Sequence, residues 1–280
     1  MTDSCNLKCP FCYVKQKPSN LDVEKAVKYI RENEPHTVIF HGGEPLLRAA
    51  EILKIMEEVP EVPHFSVTSN LMLPLTDERL KVLERCGVAT SYSVDRFTTD
   101  EQVQKFKAAM DTAKKYGTVT VIVTLSKPQL EQPPEELCKT LEWLGADYIN
   151  LERLRDDSIE SPEEYRELYK KTDEYLYEIF SKELVPNDKN MLLFNMEDAI
   201  HTNTPVFPIH CKDETVTLLS DGESTTSCPN GDLCKGEKLR ECLFCELYSF
   251  CRRDCPSFSN LGCSFPKKTF LYIKERINNG

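Results

Sequence analysis

The sequence predicts an α/β protein: a partial (βα) barrel of about six units, followed by a small, irregular, cysteine-rich domain. Three observations predict it. Short apolar runs alternate with amphipathic stretches of helix length up to about residue 155. The strand-like runs end in polar or glycine-containing loops, where βα barrels carry their chemistry. From about residue 205 the chain turns irregular, and eight of its thirteen cysteines fall within residues 211–263.

The elements follow in order. Residues 23–33 put Ala26, Val27 and Ile30 on one helical face and lead into a strand at residues 37–40. Residues 46–58 read as a helix and 65–68 as a strand. Residues 77–86 are helical, with Gly87 placed to stop the helix, and 89–94 form a strand. Thr98, Thr99 and Asp100 offer a cap for a helix over 99–116, and the β-branched run 118–125 is a strand. Helix 134–144 and strand 148–151 come next, then a long charged helix over 162–182. Strands separated by helical crossovers imply a parallel sheet. At least five such units precede residue 155, which suits a barrel wall better than a short open sheet. The divisions predicted are a barrel over 1–185, a bridging segment over 186–207 and a cysteine-rich domain over 208–280.

Composition narrows the class. A chain of 280 residues, 40% hydrophobic and 29% charged, buries a substantial core and is not disordered throughout. Its 35 basic and 46 acidic residues leave a net charge of −11, which argues against binding nucleic acid or an anionic membrane surface. No apolar run approaches the roughly 20 residues of a membrane helix, and residues 1–5 carry no secretory apolar region. A cytoplasmic protein is expected. In a reducing compartment, clustered thiols are metal ligands or catalytic groups. Cys86 and Cys138 stand alone in helical segments and read as plain buried cysteines.

Cys5, Cys9 and Cys12 give the spacing C-x3-C-x2-C. A closed zinc site wants a fourth ligand, and none is near. Three cysteines on a four-iron cluster leave one iron open to a cofactor or substrate. A free C-x2-C redox pair is a further reading. With the aromatic Phe11 before the third cysteine, the motif resembles that of the radical S-adenosylmethionine (SAM) family.

The resemblance implies that Cys5, Cys9 and Cys12 hold three irons of a 4Fe–4S cluster whose fourth iron chelates SAM. One electron then cleaves the sulfonium to a 5′-deoxyadenosyl radical, which abstracts hydrogen from the substrate. Phe40-His41-Gly42-Gly43-Glu44-Pro45 matches the family's next motif. There the glycines admit the methionine end of SAM, and Glu44 accepts from its ammonium group. Thr68, Ser69 and Asn70 resemble the family's polar strand end near SAM. Ser93 and Asp95 resemble its Ser-x-Asp motif near the ribose, and Thr124 is a further SAM contact. The family has a full strand before the first cysteine, whereas four residues precede Cys5 here. The first strand is therefore expected to be short or missing, leaving that barrel edge open or covered by another segment.

Cys242, Cys245, Cys251 and Cys255 give C-x2-C-x5-C-x3-C, followed by Cys263, with Cys211, Gly222 and Cys228 upstream. Zinc knuckles use similar spacings. The array also resembles the SPASM extension of radical SAM enzymes, which holds two auxiliary iron–sulfur clusters of the 4Fe–4S type. Carried over, Cys242, Cys245, Cys251 and Cys263 hold the outer cluster, and Cys211, Cys228 and Cys255 the inner one. The inner cluster's fourth position falls to Cys234, to His210, or stays open. Enzymes with this extension mostly modify peptides, so the expected activity is ribosomal peptide maturation by thioether or carbon–carbon crosslinking or side-chain oxidation. Alternatives are a sulfatase formylglycine-generating maturase, an enzyme of small molecules or tetrapyrroles, and a non-enzymatic iron–sulfur or zinc protein. The implied partners are a peptide substrate, a separate leader-recognition protein and an electron donor of the flavodoxin or ferredoxin type.

Overall fold

The computed structural model describes residues 1–9, 12, 14, 19–97, 99–153, 161–204, 206, 217–219, 222–225, 245–251, 263 and 265–279. Phe11, His210, Cys211, Cys228, Cys234, Cys242 and Cys255 lie outside the described residues, and so do the expectations placed on them. The chain divides into two compact units. One comprises Met1–Val123, Leu141–Ile149 and Leu218–Ser224, the other Thr124–Thr140, Asn150–Thr217 and Thr225–Gly280.

The helices and strands of the α/β region follow the predicted order. Helix α1 (Val23–Asn33) starts where Asp22 accepts a hydrogen bond from the Lys25 amide at 3.0 Å, and it buries Ala26, Val27 and Ile30. Strand β1 (Thr37–Phe40) follows. The helix expected over 46–58 is two pieces, a 3-10 turn Pro45–Arg48 and α2 (Ala49–Glu58). The break falls at Arg48, whose φ −118° and ψ 37° are not helical. Then come β2 (His64–Thr68), α3 (Asp77–Arg85), β3 (Gly87–Tyr92), α4 (Asp100–Ala113) and β4 (Val119–Leu125). Gly87 does not act as a helix stop. It opens β3 opposite Ser66, and α3 ends because Cys86 is already extended at φ −121° and ψ 145°. Thr99 caps α4 through the Gln102 amide, as the sequence suggests. Helices α5 (Lys127–Leu130) and α6 (Pro134–Leu144) and strand β5 (Tyr148–Arg153) complete the array.

The five strands form one sheet in the order β1-β2-β3-β4-β5, with β1 to β4 paired in parallel. Register aligns Phe40, Val67, Val88 and Val119 on one face, all 3% exposed or less. The alternate face carries Ser66, Thr68, Ser91 and Thr120, all half-buried. One face is therefore core, and the other is a hydroxyl-rich wall. About six units were expected, and five strands form this sheet among the described residues. In place of a further strand, Thr2 makes single bridges to Asn20 and Gly42. No strand precedes Cys5 among the described residues, where a first strand was expected to be short or missing.

In the second unit, α7 (Pro162–Ser181) and α8 (Met191–Thr202) both pack on a C-terminal helix. Between α8 and the C-terminal helix in sequence lie the two-residue strands β6 (Thr217–Leu218) and β7 (Ser224–Thr225), which pair and whose residues Leu218 and Ser224 belong to the first unit, and the short α9 (Tyr248–Cys251). The C-terminal helix, α10 (Lys267–Asn279), corrects the reading of residues 208–280 as irregular throughout. It buries Thr269, Phe270 and Ile273, and Phe270 sits 4.9 Å from the Phe250 ring and 5.4 Å from the Phe265 ring. Asp173 of α7 caps its first turn, accepting from the amides of Lys268 (2.8 Å) and Thr269 (2.9 Å) and from the Thr269 hydroxyl (2.7 Å). Replacing Asp173 with alanine is expected to cost about 1–2 kcal/mol, read as a lower urea midpoint, without loss of bound iron.

Cys86 and Cys138 are buried as expected, and burial pushes both thiols up to about 12, which leaves them inert. Among the described residues, no helix is long and apolar enough to cross a membrane.

Candidate cluster and cofactor site

The site is built where β1, β2 and β3 end, and its first component is backbone. The Gly43 amide donates to Thr2 O at 2.7 Å, the Glu44 amide to Ser4 O at 2.8 Å, and the Leu21 amide to Met1 O at 2.9 Å. Residues 1–4 are thereby held between two segments, and Cys5 follows directly. A Cβ on Gly42 would lie 2.3 Å from Thr2 O, and one on Gly43 2.2 Å from Ser4 O. Gly42 also has φ +140°, which side chains disfavour. The glycines are thus required by the chain's own N-terminal segment, a reason the sequence did not reveal. Gly43→Ala must push the Cys5 segment away. The expected result is a loss of about 1–3 kcal/mol and reduced iron binding after reconstitution, measured by urea unfolding and an iron assay.

Glu44 is fully buried. Its Oε1 accepts from the Leu46 amide (3.0 Å) and the Ser69 hydroxyl (2.9 Å), and its Oε2 from the Asn70 amide (2.7 Å). Burial pushes the carboxyl up, while these donors and the nearby Arg96 oppose the rise. One carboxylate therefore ties the loop after β1 to the loop after β2. The second loop is tightly wound. Leu71 is buried at φ 55°, its amide donates to Ser69 Oγ at 3.0 Å, and the Met72 amide donates to Asn70 Oδ1 at 2.9 Å.

Asn70 also faces the thiols. Its Nδ2 donates to Cys5 Sγ at 3.5 Å, and the Leu7 amide reaches the same sulfur at 3.4 Å. Cys9 lies within electrostatic reach of both other thiols. Its own thiol is pushed up, first by burial, with Cys12 and Cys5 adding to the rise and Arg96 opposing it. Cys12 is exposed. Among the described residues, no three His, Cys, Asp or Glu side chains are close enough to hold one metal ion. A four-iron cluster binds its ligands at separate corners, so it suits thiols that neighbour one another without converging on a point. Three neighbouring thiols, none in a disulfide, with a hydrogen-bond donor on one sulfur and a cation nearby, fit such a cluster.

That cation, Arg96, was missed in the sequence. It is 8% exposed, and its guanidinium donates to Ser91 O, to Asn70 O and, at 3.0 Å, to Ser91 Oγ. It lies 4.9 Å from the Phe97 ring centroid and 5.2 Å from that of Phe106. Burial lowers it to about 10, so it is charged at neutral pH, and Cys9, Glu44 and Cys5 favour that charge. Its only signal in the sequence was its place directly after Ser93-Val94-Asp95.

Ser93 is fully buried, and among the described residues its hydroxyl has no partner. Its carbonyl accepts from the Arg96 amide at 3.1 Å. Thr68 and Asp95 are half-buried. The structure thus brings Cys5, Cys9, Glu44, Ser69, Asn70 and Arg96 together. Thr124, half-buried near the end of β4, belongs to the second unit. Cys245, Cys251 and Cys263 also belong there, each half-buried and outside any disulfide.

A protein of Archaeoglobus fulgidus without a described function is 29% identical over 148 residues, covering 48% of this chain and 35% of that one. The GTP 3′,8-cyclase of Aquifex aeolicus is 32% identical over 100 residues, covering 31% of each. This chain therefore spans about a third of the length of these relatives. A solved structure of TYW1 with a lysine-pyruvate adduct bound aligns at 18% identity and TM-score 0.40, over 62% of this chain and 72% of that one. Residues 1–144 match the model of the radical SAM superfamily, a span that takes in the three N-terminal cysteines, Glu44, Asn70 and Arg96. The chain belongs to the radical SAM superfamily.

Proposed function

We propose that Cys5, Cys9 and Cys12 hold the cluster at which this chain binds and reductively cleaves SAM, and that the radical so formed abstracts hydrogen from a peptide. The carrying observation is the convergence of thiols, buried carboxylate and buried cation at the ends of three consecutive parallel strands. When bound, the reduced cluster would pass one electron to the sulfonium of SAM, and the chemistry supplied would be loss of methionine and a carbon radical able to take a hydrogen atom from the substrate.

The chain's own groups supply position and charge. Glu44 Oε1 is filled by two donors, while Oε2 takes one and keeps an acceptor position, which we assign to the SAM ammonium. Asn70 orients the Cys5 sulfur. The Ser93 hydroxyl and Asp95 lie beyond β3, where the ribose is assigned.

The cysteine array supports the peptide. Crosslinking or side-chain oxidation removes two electrons from the substrate, one with the hydrogen atom and one after it. Cys211, Cys228, Cys242, Cys245, Cys251, Cys255 and Cys263 are the ligands available for auxiliary clusters able to accept the second. A second reading, a nucleotide-sized substrate, is favoured by the GTP cyclase among the relatives. Fully deuterated cell extract, separated by size and offered to the reconstituted protein with unlabelled SAM, distinguishes the two. Deuterium entering 5′-deoxyadenosine from the peptide fraction is expected. Transfer only from the small-molecule fraction overturns the peptide, and 5′-deoxyadenosine formed in neither case overturns SAM cleavage.

A further inference from the structure

We propose that Arg96 sets the reduction potential of the cluster held by Cys5, Cys9 and Cys12, its fixed positive charge favouring the reduced form. The proposal rests on the reading of those thiols as cluster ligands. Arg96 is the cation the buried site provides beside them, and its position is built rather than incidental. Two aromatic rings flank the guanidinium, and three acceptors, two on Ser91 of β3 and one on Asn70 in the loop after β2, fix its terminal nitrogens. One of those acceptors is the carbonyl of Asn70, whose side chain donates to Cys5 Sγ at 3.5 Å. Among the described residues its Nε, although buried, has no hydrogen-bond partner. Fold stability alone gives little reason to keep a buried guanidinium with a donor unmet, since desolvating the charge is costly.

Electrostatics supplies a reason. One-electron reduction adds a negative charge to a cluster already carrying three thiolates. The electron comes from a low-potential donor, a ferredoxin-type protein or dithionite in vitro. In a buried setting that added charge is poorly screened by solvent, so a fixed cation nearby stabilises the reduced state more than the oxidised one. Glu44, also buried, works in the opposite direction and is partly offset by the same guanidinium. Removing the positive charge should make the cluster harder to reduce.

The test is a mediated redox titration of reconstituted protein, followed by the electron paramagnetic resonance signal of the reduced cluster. The signal absent from a Cys5/Cys9/Cys12→Ala variant identifies the site. Arg96→Gln keeps donors and removes charge, and Arg96→Lys keeps charge. At the potential where the wild-type site is half reduced, Arg96→Gln should lower the ratio of reduced to oxidised cluster at least tenfold, about 59 mV for a one-electron couple. Arg96→Lys should stay near wild type. Ser91→Asp offers a second route, placing a carboxylate against the guanidinium without removing it, and should also lower the ratio. It decides the matter if Arg96→Gln does not fold. An unchanged potential in Arg96→Gln, or in Ser91→Asp where only that variant folds, overturns the proposal. So does a fall in Arg96→Lys as large as in Arg96→Gln, which would make position rather than charge the cause. A wild-type protein with no signal lost in the triple variant overturns the reading of the thiols, and the proposal with it.

Discussion

Replacing Cys5, Cys9 and Cys12 together with alanine is expected to abolish 5′-deoxyadenosine formation from SAM under dithionite, measured by chromatography of anaerobic reactions. The expected effect is complete because the three thiols act as one unit: without them no cluster delivers an electron to the sulfonium. The fold should survive. Cys12 is exposed, Cys5 and Cys9 are half-buried, and the hydrogen bonds at Cys5 sulfur are weak because a thiol sulfur is a poor acceptor. The segment is held instead by backbone contacts at Thr2 and Ser4, which alanines at 5, 9 and 12 leave untouched. The urea midpoint should therefore stay close to wild type while cleavage falls to background. Cleavage at a wild-type rate would place the chemistry elsewhere in the chain.

Much of the α/β region was legible because helical spacing and β-branched runs dominate it. The 3.6-residue spacing of Ala26, Val27 and Ile30 gave α1 its bounds, and the β-branched run of β4 gave a strand correct to one residue. What was lost depends on tertiary partners. Gly87 looks like a helix stop until Ser66 is seen across from it. Residues 267–279 sit behind a run of cysteines and read as loop, yet Phe270 and Ile273 find a core and Asp173 caps the helix from 96 residues away. The same holds in the site. The order of cysteines, glycines and Glu44 is visible as a motif, but the occupant of the space beside the glycines is not. An arginine after a strand end reads as solvated, and only packing by Phe97 and Phe106 shows it to be buried.

The same distinction separates two roles for Glu44. As a SAM ligand alone, its loss would weaken SAM binding by about one to two orders of magnitude, from a charge-assisted contact of roughly 1.5–3 kcal/mol. The structure adds a second role, because three internal donors depend on the same carboxylate. Glu44→Ala strands the buried Leu46 amide and Ser69 hydroxyl and the half-buried Asn70 amide, and it frees a loop holding Leu71 at φ 55°. Each stranded donor costs about 1–3 kcal/mol, and neighbouring losses do not add fully, so about 3–5 kcal/mol of stability should go. Glu44→Gln keeps one acceptor oxygen but turns an amide N–H₂ toward a donor, and should fall between alanine and wild type. The pH dependence carries its own sign. Burial raises the Glu44 carboxyl above its ordinary value, so the folded chain holds this proton more tightly than the unfolded one. The contribution is most favourable below the ordinary carboxylate value and declines as pH rises through the raised one. Glu44→Gln has no proton to lose and should flatten that decline. Urea unfolding of the apo protein across this pH range reads both effects, and a wild-type midpoint in Glu44→Ala would show that the carboxylate holds nothing but the cofactor.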